Sequence, residues 1–196
     1  ANDENDSIKT IWRMIMGRPA IPCSLIPVEK EDKEILRNLL EKYDYEFSQY
    51  DQRDVNDLGL YGYDYLDNYW TEEGRHAFFI KVDGKLAGFV MINTFREIEE
   101  ITNYSIAEFF VMYKYRGCGV GRYAAFQIFD MFHGKWQLKR HPKNTGSVHF
   151  WDKIIREYTG GDFVYMPSHP QAVYDDGTLG DVFIFESPAK APQTRG

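Results

Sequence analysis

A chain of 196 residues with a formal net charge of −7, 43% apolar and 27% charged, has the composition of a soluble globular protein and the length for one domain with a full core. The negative balance argues against nucleic acid as the main partner, because phosphate backbones are bound by basic faces, and no run approaches the roughly 18 uninterrupted apolar residues of a membrane span. Two cysteines, Cys23 and Cys118, are too few for a disulfide framework and fit a reducing compartment, so a cytoplasmic location is expected.

Residues 1–20 read as an N-terminal extension, partly disordered; the apolar stretch 11–16 is short and broken by Arg13, so it is neither a span nor a secretory segment. Residues 25–28 read as a first strand. A helix enters at Glu31, with Ile35, Leu36, Leu39, Leu40 and Tyr43 giving it a core face at the 3.6 period. Residues 43–73 crowd tyrosines and carboxylates together, with Arg53 the lone cation before Arg75. Two readings stand: a pocket for an amine or ammonium acceptor with Tyr61, Tyr63 and Tyr65 among its walls, or a partly buried helix-loop-helix with a solvated acidic face. Gly59 and Gly62 suggest a mobile loop there. Residues 76–82 and 85–94 then form a hairpin across Asp83-Gly84, a dipeptide suited to the positive φ that a tight turn between twisted strands requires.

The apolar run Phe109-Phe110-Val111-Met112 leads into Arg116-Gly117-Cys118-Gly119-Val120-Gly121-Arg122 and then a helical pattern. A glycine turn between strand and helix lets the backbone approach a ligand, and the first N–H groups of the helix point at an anion. A nucleoside-triphosphate loop would need Lys and then Ser or Thr after its last glycine, and neither follows Gly121. A dinucleotide loop wants an acidic residue about 20 positions on, whereas the chain there runs through a strand at 135–138 into Lys139, Arg140 and His141. Asn144 opens a further helix whose Val148, Trp151, Ile154, Ile155 and Tyr158 fall at core spacing, Gly160-Gly161 stops it, and strands follow at 163–166 and 181–186. The five histidines show no metal-ligand spacing, so no metal is expected.

The Arg-x-x-Gly-x-Gly turn after a strand, with the elements that follow it, resembles the GNAT superfamily of N-acetyltransferases. That resemblance implies a single α/β (α+β) domain over residues 21–188, a mixed central sheet flanked by helices with one splayed strand pair, and a C-terminal tail at 189–196. It implies acetyl-CoA as cosubstrate: backbone amides of Gly117, Cys118, Gly119, Val120, Gly121 and Arg122 on the pyrophosphate, Phe110 and Val111 on the pantetheine, Asn144 on the pantetheine arm or as a plain helix cap, and Arg116 supporting the loop or meeting a phosphate. Lys139, Arg140 and Lys143 would lie near the CoA phosphates. Glu108 matches the position of a family base, or is a strand-edge carboxylate paired to a cation. The family's usual tyrosine acid falls at Trp151, whose indole cannot give up a proton at a usable pKa; Tyr158 is a substitute on spacing. The implied activity is acetyl transfer to a primary amine of a cationic, small-molecule acceptor by direct attack in a ternary complex. A non-catalytic acyl-CoA sensor or interaction module, or a transferase of another acyl group, stays open, as does a homodimer.

Overall fold

The computed structural model describes residues 21–188; the expected extension 1–20 and tail 189–196 lie outside the described residues. Seven strands make one sheet: β1 Ser24–Pro27, β2 His76–Val82, β3 Lys85–Asn93, β4 Tyr104–Val111, β5 Gly134–Arg140, β6 Phe163–Met166 and β7 Asp181–Ser187. Their order is β1-β2-β3-β4-β5-β7-β6, antiparallel throughout except for the parallel pair β4–β5. Three helices cover it: α1 Lys33–Asp51, α2 Val120–Met131 and α3 Thr145–Thr159.

The central strands read as unbroken apolar runs because both faces of the sheet are covered. In β3, Phe89 and Met91 pack with Leu36 and Leu40 of α1 on one face. Val90 and Ile92 pack with Ile128 of α2 and Ile155 of α3 on the other. Asp83 (φ 48°) and Gly84 (φ 73°) form the tight β2–β3 turn, and Gly160 ends α3 in the left-handed region. Ile35 departs from the expected core face: it is 40% exposed, while Leu36, Leu39 and Leu40 are buried. One position along a helix turns a side chain by about 100°, which carries Ile35 off the stripe.

The feature that makes room for a site is a misfit between neighbouring strands. Met91 pairs with Glu108 and Ile92 with Ile106, so Ala107 bulges out of the β3–β4 ladder. On the other side of β4, only Tyr104, Ser105 and Ile106 pair with β5, through Trp136, Gln137 and Leu138. Past that point β4 and β5 part, and a cleft opens between them.

Candidate active site

The cleft has a volume of about 700 Å³ and runs between the diverging ends of β4 and β5, the turn before α2, the start of α3 and the C-terminal half of α1. Along β4 the backbone alternates in direction. The Met112 N–H bonds the Ala87 carbonyl at 2.8 Å, so at period two the N–H and C=O of Phe110 are also directed to β3. The carbonyl of Phe110 lies so close to Gly88 that a Cβ there would sit 1.9 Å from it. The groups turned to the open side are those of Phe109 and Val111, which corrects the expected backbone role of Phe110. Its side chain is buried against Phe89 and Tyr43 on the α1 face.

The glycine turn is a short 3-10 turn at Tyr113–Tyr115 followed by Gly117 and Gly119 at φ 71° and 83°, conformations that cost a side-chain-bearing residue about 1 kcal/mol or more. The first α2 amide with a backbone acceptor is Tyr123, to Gly119 at 3.0 Å. The amides of Val120, Gly121 and Arg122 precede it in the first turn, where no intrahelical acceptor exists; Gly117, Gly119, Gly121 and Arg122 all border the cleft. Cys118 and Val120 bury their side chains in the core beneath. The Cys118 thiol donates to the Tyr115 carbonyl, away from any site of chemistry. Arg116 supports the turn: its Nε donates to the Val111 carbonyl at 2.6 Å, and its two terminal nitrogens hold Glu46 of α1 at 2.7 Å each. Asn144 caps α3, accepting the Ser147 N–H at 3.0 Å, and also borders the cleft.

Glu108 sits on β4 beyond the bulge, facing α1. It accepts the Tyr63 hydroxyl at 3.2 Å, and the Tyr43 hydroxyl lies against it as well. Burial among apolar and aromatic groups disfavours its charge and pushes its pKa up to about 7; the two hydroxyls oppose that rise, and the carboxylate of Asp44 adds to it. Among the described residues it is not paired to a Lys or Arg side chain.

Glu108 and Tyr63 meet on the α1 face of β4 and are not among the residues bordering the cleft, whereas the glycine turn borders it directly. Tyr158 packs on Phe126 and Phe129, its hydroxyl donating to Asp130 at 3.1 Å and sharing a bond with Ser187. Seven residues is two helical turns, so Tyr158 has the right face of α3 but lies about 10 Å too far along it. Tyr61 bonds Ser48, and Tyr65 is 60% exposed; neither borders the cleft. Lys139 pairs with Glu97, buried Arg140 with Asp152 and Asp181, and Lys143 with Asp176. Each of these charges is matched by a carboxylate, and Lys139 and Arg140 also border the cleft.

Two sets of residues escaped the sequence reading. Tyr43, Glu46, Phe47 and Tyr50 of α1 line the cleft at i, i+3, i+4 and i+7, a helical stripe hidden in a segment read by composition. Tyr174 and His141 close the same end, ring against ring at 4.6 Å. Buried His141 has its pKa lowered by desolvation and receives the Lys143 N–H on Nδ1. No group of three or more potential metal ligands occurs among the described residues, and no helix there is long and apolar enough to cross a membrane.

A profile of the acetyltransferase (GNAT) family matches residues 34–155. No curated protein matches the chain. Among solved structures, an acetyltransferase from Thermus thermophilus superposes with a TM-score of 0.60 at 14% identity, over 86% of this chain and 99% of that one. A spermidine N-acetyltransferase from Vibrio cholerae, in complex with CoA and spermine, superposes with a TM-score of 0.56 at 16% identity, over 84% and 95% of the two chains. At these identities the likeness is one of fold.

Proposed function

The chain belongs to the GNAT acetyltransferase family, whose enzymes use acetyl-CoA, and from that premise we propose that it transfers the acetyl group of acetyl-CoA to a primary amine by direct attack in a ternary complex. The observation that carries this reading is Glu108, a carboxyl raised to about 7 on the strand whose departure from β5 opens the cleft. A lysine-like amine of pKa about 10.4 is neutral in roughly one molecule in 2,500 at pH 7, a deficit of about 4 to 5 kcal/mol. A base titrating near the working pH takes a proton from the attacking nitrogen, directly or through a water, most effectively.

The cosubstrate supplies an acetyl group activated as a thioester, and the residues present fit it. The first-turn amides of α2 and the positive-φ glycines suit a pyrophosphate. The outward N–H of Val111 and the backbone of Phe109 suit pantetheine amides, and either N–H is a donor for the developing oxyanion. Phe109, Phe150 and Trp151, packed with centroids 4.7 to 5.5 Å apart, form an apolar wall beside the arm.

The acceptor is read as a small cationic amine. The aromatic stripe of α1 and the excess of acidic residues in 43–73 support it, the first by flat apolar walls and the second by long-range attraction of cations. The spermidine enzyme of like fold supports the same class. The test is isothermal titration with acetyl-CoA, NAD and ATP, followed by thiol release across a panel of amines. Acetyl-CoA binding with amine-dependent release is expected; a chain that binds NAD or ATP instead would overturn the reading.

A further inference from the structure

We propose that Tyr174, on the 167–180 loop joining β6 to β7, is the proton donor to the departing CoA sulfur. The inference rests on the acetyl-transfer reading above and supplies the group that Trp151 cannot.

The loop holds Tyr174 in place at several points. The Tyr174 N–H bonds the Thr178 carbonyl at 2.9 Å and the Gly177 N–H returns to the Tyr174 carbonyl at 2.8 Å, closing a tight turn. Asp176 ties that turn to the α3 approach through Lys143 at 2.9 Å. The ring itself rests on His141, with Phe47 of α1 6.0 Å away and the Lys139 ammonium over its face at 4.5 Å. At Gly180 a Cβ would come within 3.0 Å of the ring edge, so a glycine is what lets the chain pass behind it.

The hydroxyl, by contrast, is uncommitted. The phenols of Tyr63, Tyr158 and Tyr165 each bond a carboxylate, whereas that of Tyr174 makes no hydrogen bond among the described residues and its side chain borders the cleft. It lies within electrostatic reach of both Glu108 and Tyr43, and Tyr43 in turn interacts with Glu108. Tyr43 and Tyr174 both border the cleft, and each phenol interacts with the Glu108 carboxyl.

The chemistry needs both Glu108 and Tyr174. As the C–N bond forms, the proton of the attacking nitrogen goes to Glu108. As the C–S bond breaks, its electron pair stays on sulfur, which takes the proton of Tyr174. The tyrosinate left behind is reprotonated from Glu108 by way of Tyr43. The net change is one proton moved from nitrogen to sulfur, with no other reactant. Electrostatics favour that order. Burial and the Glu108 carboxylate hold both phenols protonated before reaction, and once Glu108 has received its proton that charge is gone, so the phenols become better acids when the thiolate forms.

The test uses the full chain with Tyr174→Phe, which keeps the ring and its packing and removes one oxygen. Acetyl-CoA affinity by titration calorimetry is expected within twofold of wild type, and the single-turnover rate with the best amine about 100-fold lower. Fluorinated tyrosines at position 174 add a readout that a structural hydroxyl would not move: the single-turnover rate should rise with the acidity of the phenol. A Tyr174→Phe rate within threefold of wild type, a flat response to fluorination, or a rate loss matched by an equal loss of acetyl-CoA affinity would each overturn the assignment. If wild type itself neither binds acetyl-CoA nor releases thiol, the acetyl-transfer reading falls and takes this one with it.

Discussion

Replacing Glu108 by Gln separates its cost to the fold from its use in chemistry. In the folded chain the carboxyl sits at about 7 against an ordinary value of 4.5. A carboxyl raised in this way costs nothing while it is protonated in both states, below pH 4.5; the cost grows as pH rises and is complete above about 7. At about 1.4 kcal/mol per tenfold difference in proton affinity, the ionised carboxylate costs about 3 kcal/mol of stability at pH 8.5. Gln keeps an oxygen to accept the Tyr63 hydroxyl but brings an amide that needs an acceptor, an offset of about 1 kcal/mol. Glu108→Gln should therefore be about 2 kcal/mol more stable than wild type at pH 8.5 and no more stable at pH 4, by urea melts at both pH values. Its turnover should fall about 100-fold or more with acetyl-CoA affinity unchanged. A stability difference that does not vary with pH would refute the burial argument. Unaltered turnover with unaltered binding would refute the base.

Tyr158→Phe should leave turnover within twofold of wild type and cost about 1 kcal/mol of stability through the lost bonds to Asp130 and Ser187; a large loss of rate without loss of stability would restore it to the site. Arg53 bridges buried Asp44 at 2.5 Å and Asp51 at 3.0 Å. Burial already pushes Asp44 up to about 6 against the pull of Arg53, so its ionised form costs stability above pH 4 and more without the arginine. Arg53→Ala should cost about 2 kcal/mol at pH 8, below the range for fully buried pairs because Arg53 is partly exposed, and less at pH 5, where Asp44 holds its proton; equal losses at the two pH values in chemical denaturation would contradict this. Gly88→Ala would drive a Cβ into the Phe110 carbonyl, so β3 and β4 must separate, and a loss above about 3 kcal/mol is expected. Thermal melting within a few degrees of wild type would count against the close strand approach.

Legibility in the sequence followed the range of the interaction. Local signals read true: Asp83-Gly84 made its turn, Gly160 its stop, and residues 163–166 their strand, because each depends on backbone preference within a few positions. The bulge at Ala107 and the early end of β4–β5 pairing depend on how two strands meet their neighbours, and no local pattern announces them. Tyr158 was placed by angular periodicity, which fixes the face of a helix and says nothing of which end meets the site. Lys139, Arg140 and Lys143 look like a phosphate patch in sequence, and their carboxylate partners lie at Glu97, Asp152, Asp176 and Asp181, three of them more than 30 residues away along the chain. Tyr174 belongs to the same class, since loop closure alone brings it opposite α1.

In residues 43–73 the density of tyrosine and carboxylate left two readings open, an acceptor pocket or a partly buried helix-loop-helix with a solvated acidic face. Several of those carboxylates serve the scaffold: Asp44 and Asp51 hold Arg53, Asp67 holds Lys33 and Glu72 holds Arg75, while Glu41, just before the segment, holds the amides of Tyr61 and Gly62 at 2.9 Å. What faces the cleft is one stripe of α1, and its members divide the work. Tyr43 leans on Glu108, Phe47 and Tyr50 pack around His141, and Glu46 takes both arms of Arg116, whose Nε holds the last carbonyl of β4 and whose face stacks on Tyr113 at 4.1 Å. A fork-shaped pair with two parallel bonds fixes orientation as well as distance, so α1 is held in register with the glycine turn through Arg116 and with the base through Tyr43. One helix thus sets the spacing between the place where the anion would sit and the carboxyl that takes the proton, and any change that lets α1 slide would be felt at both.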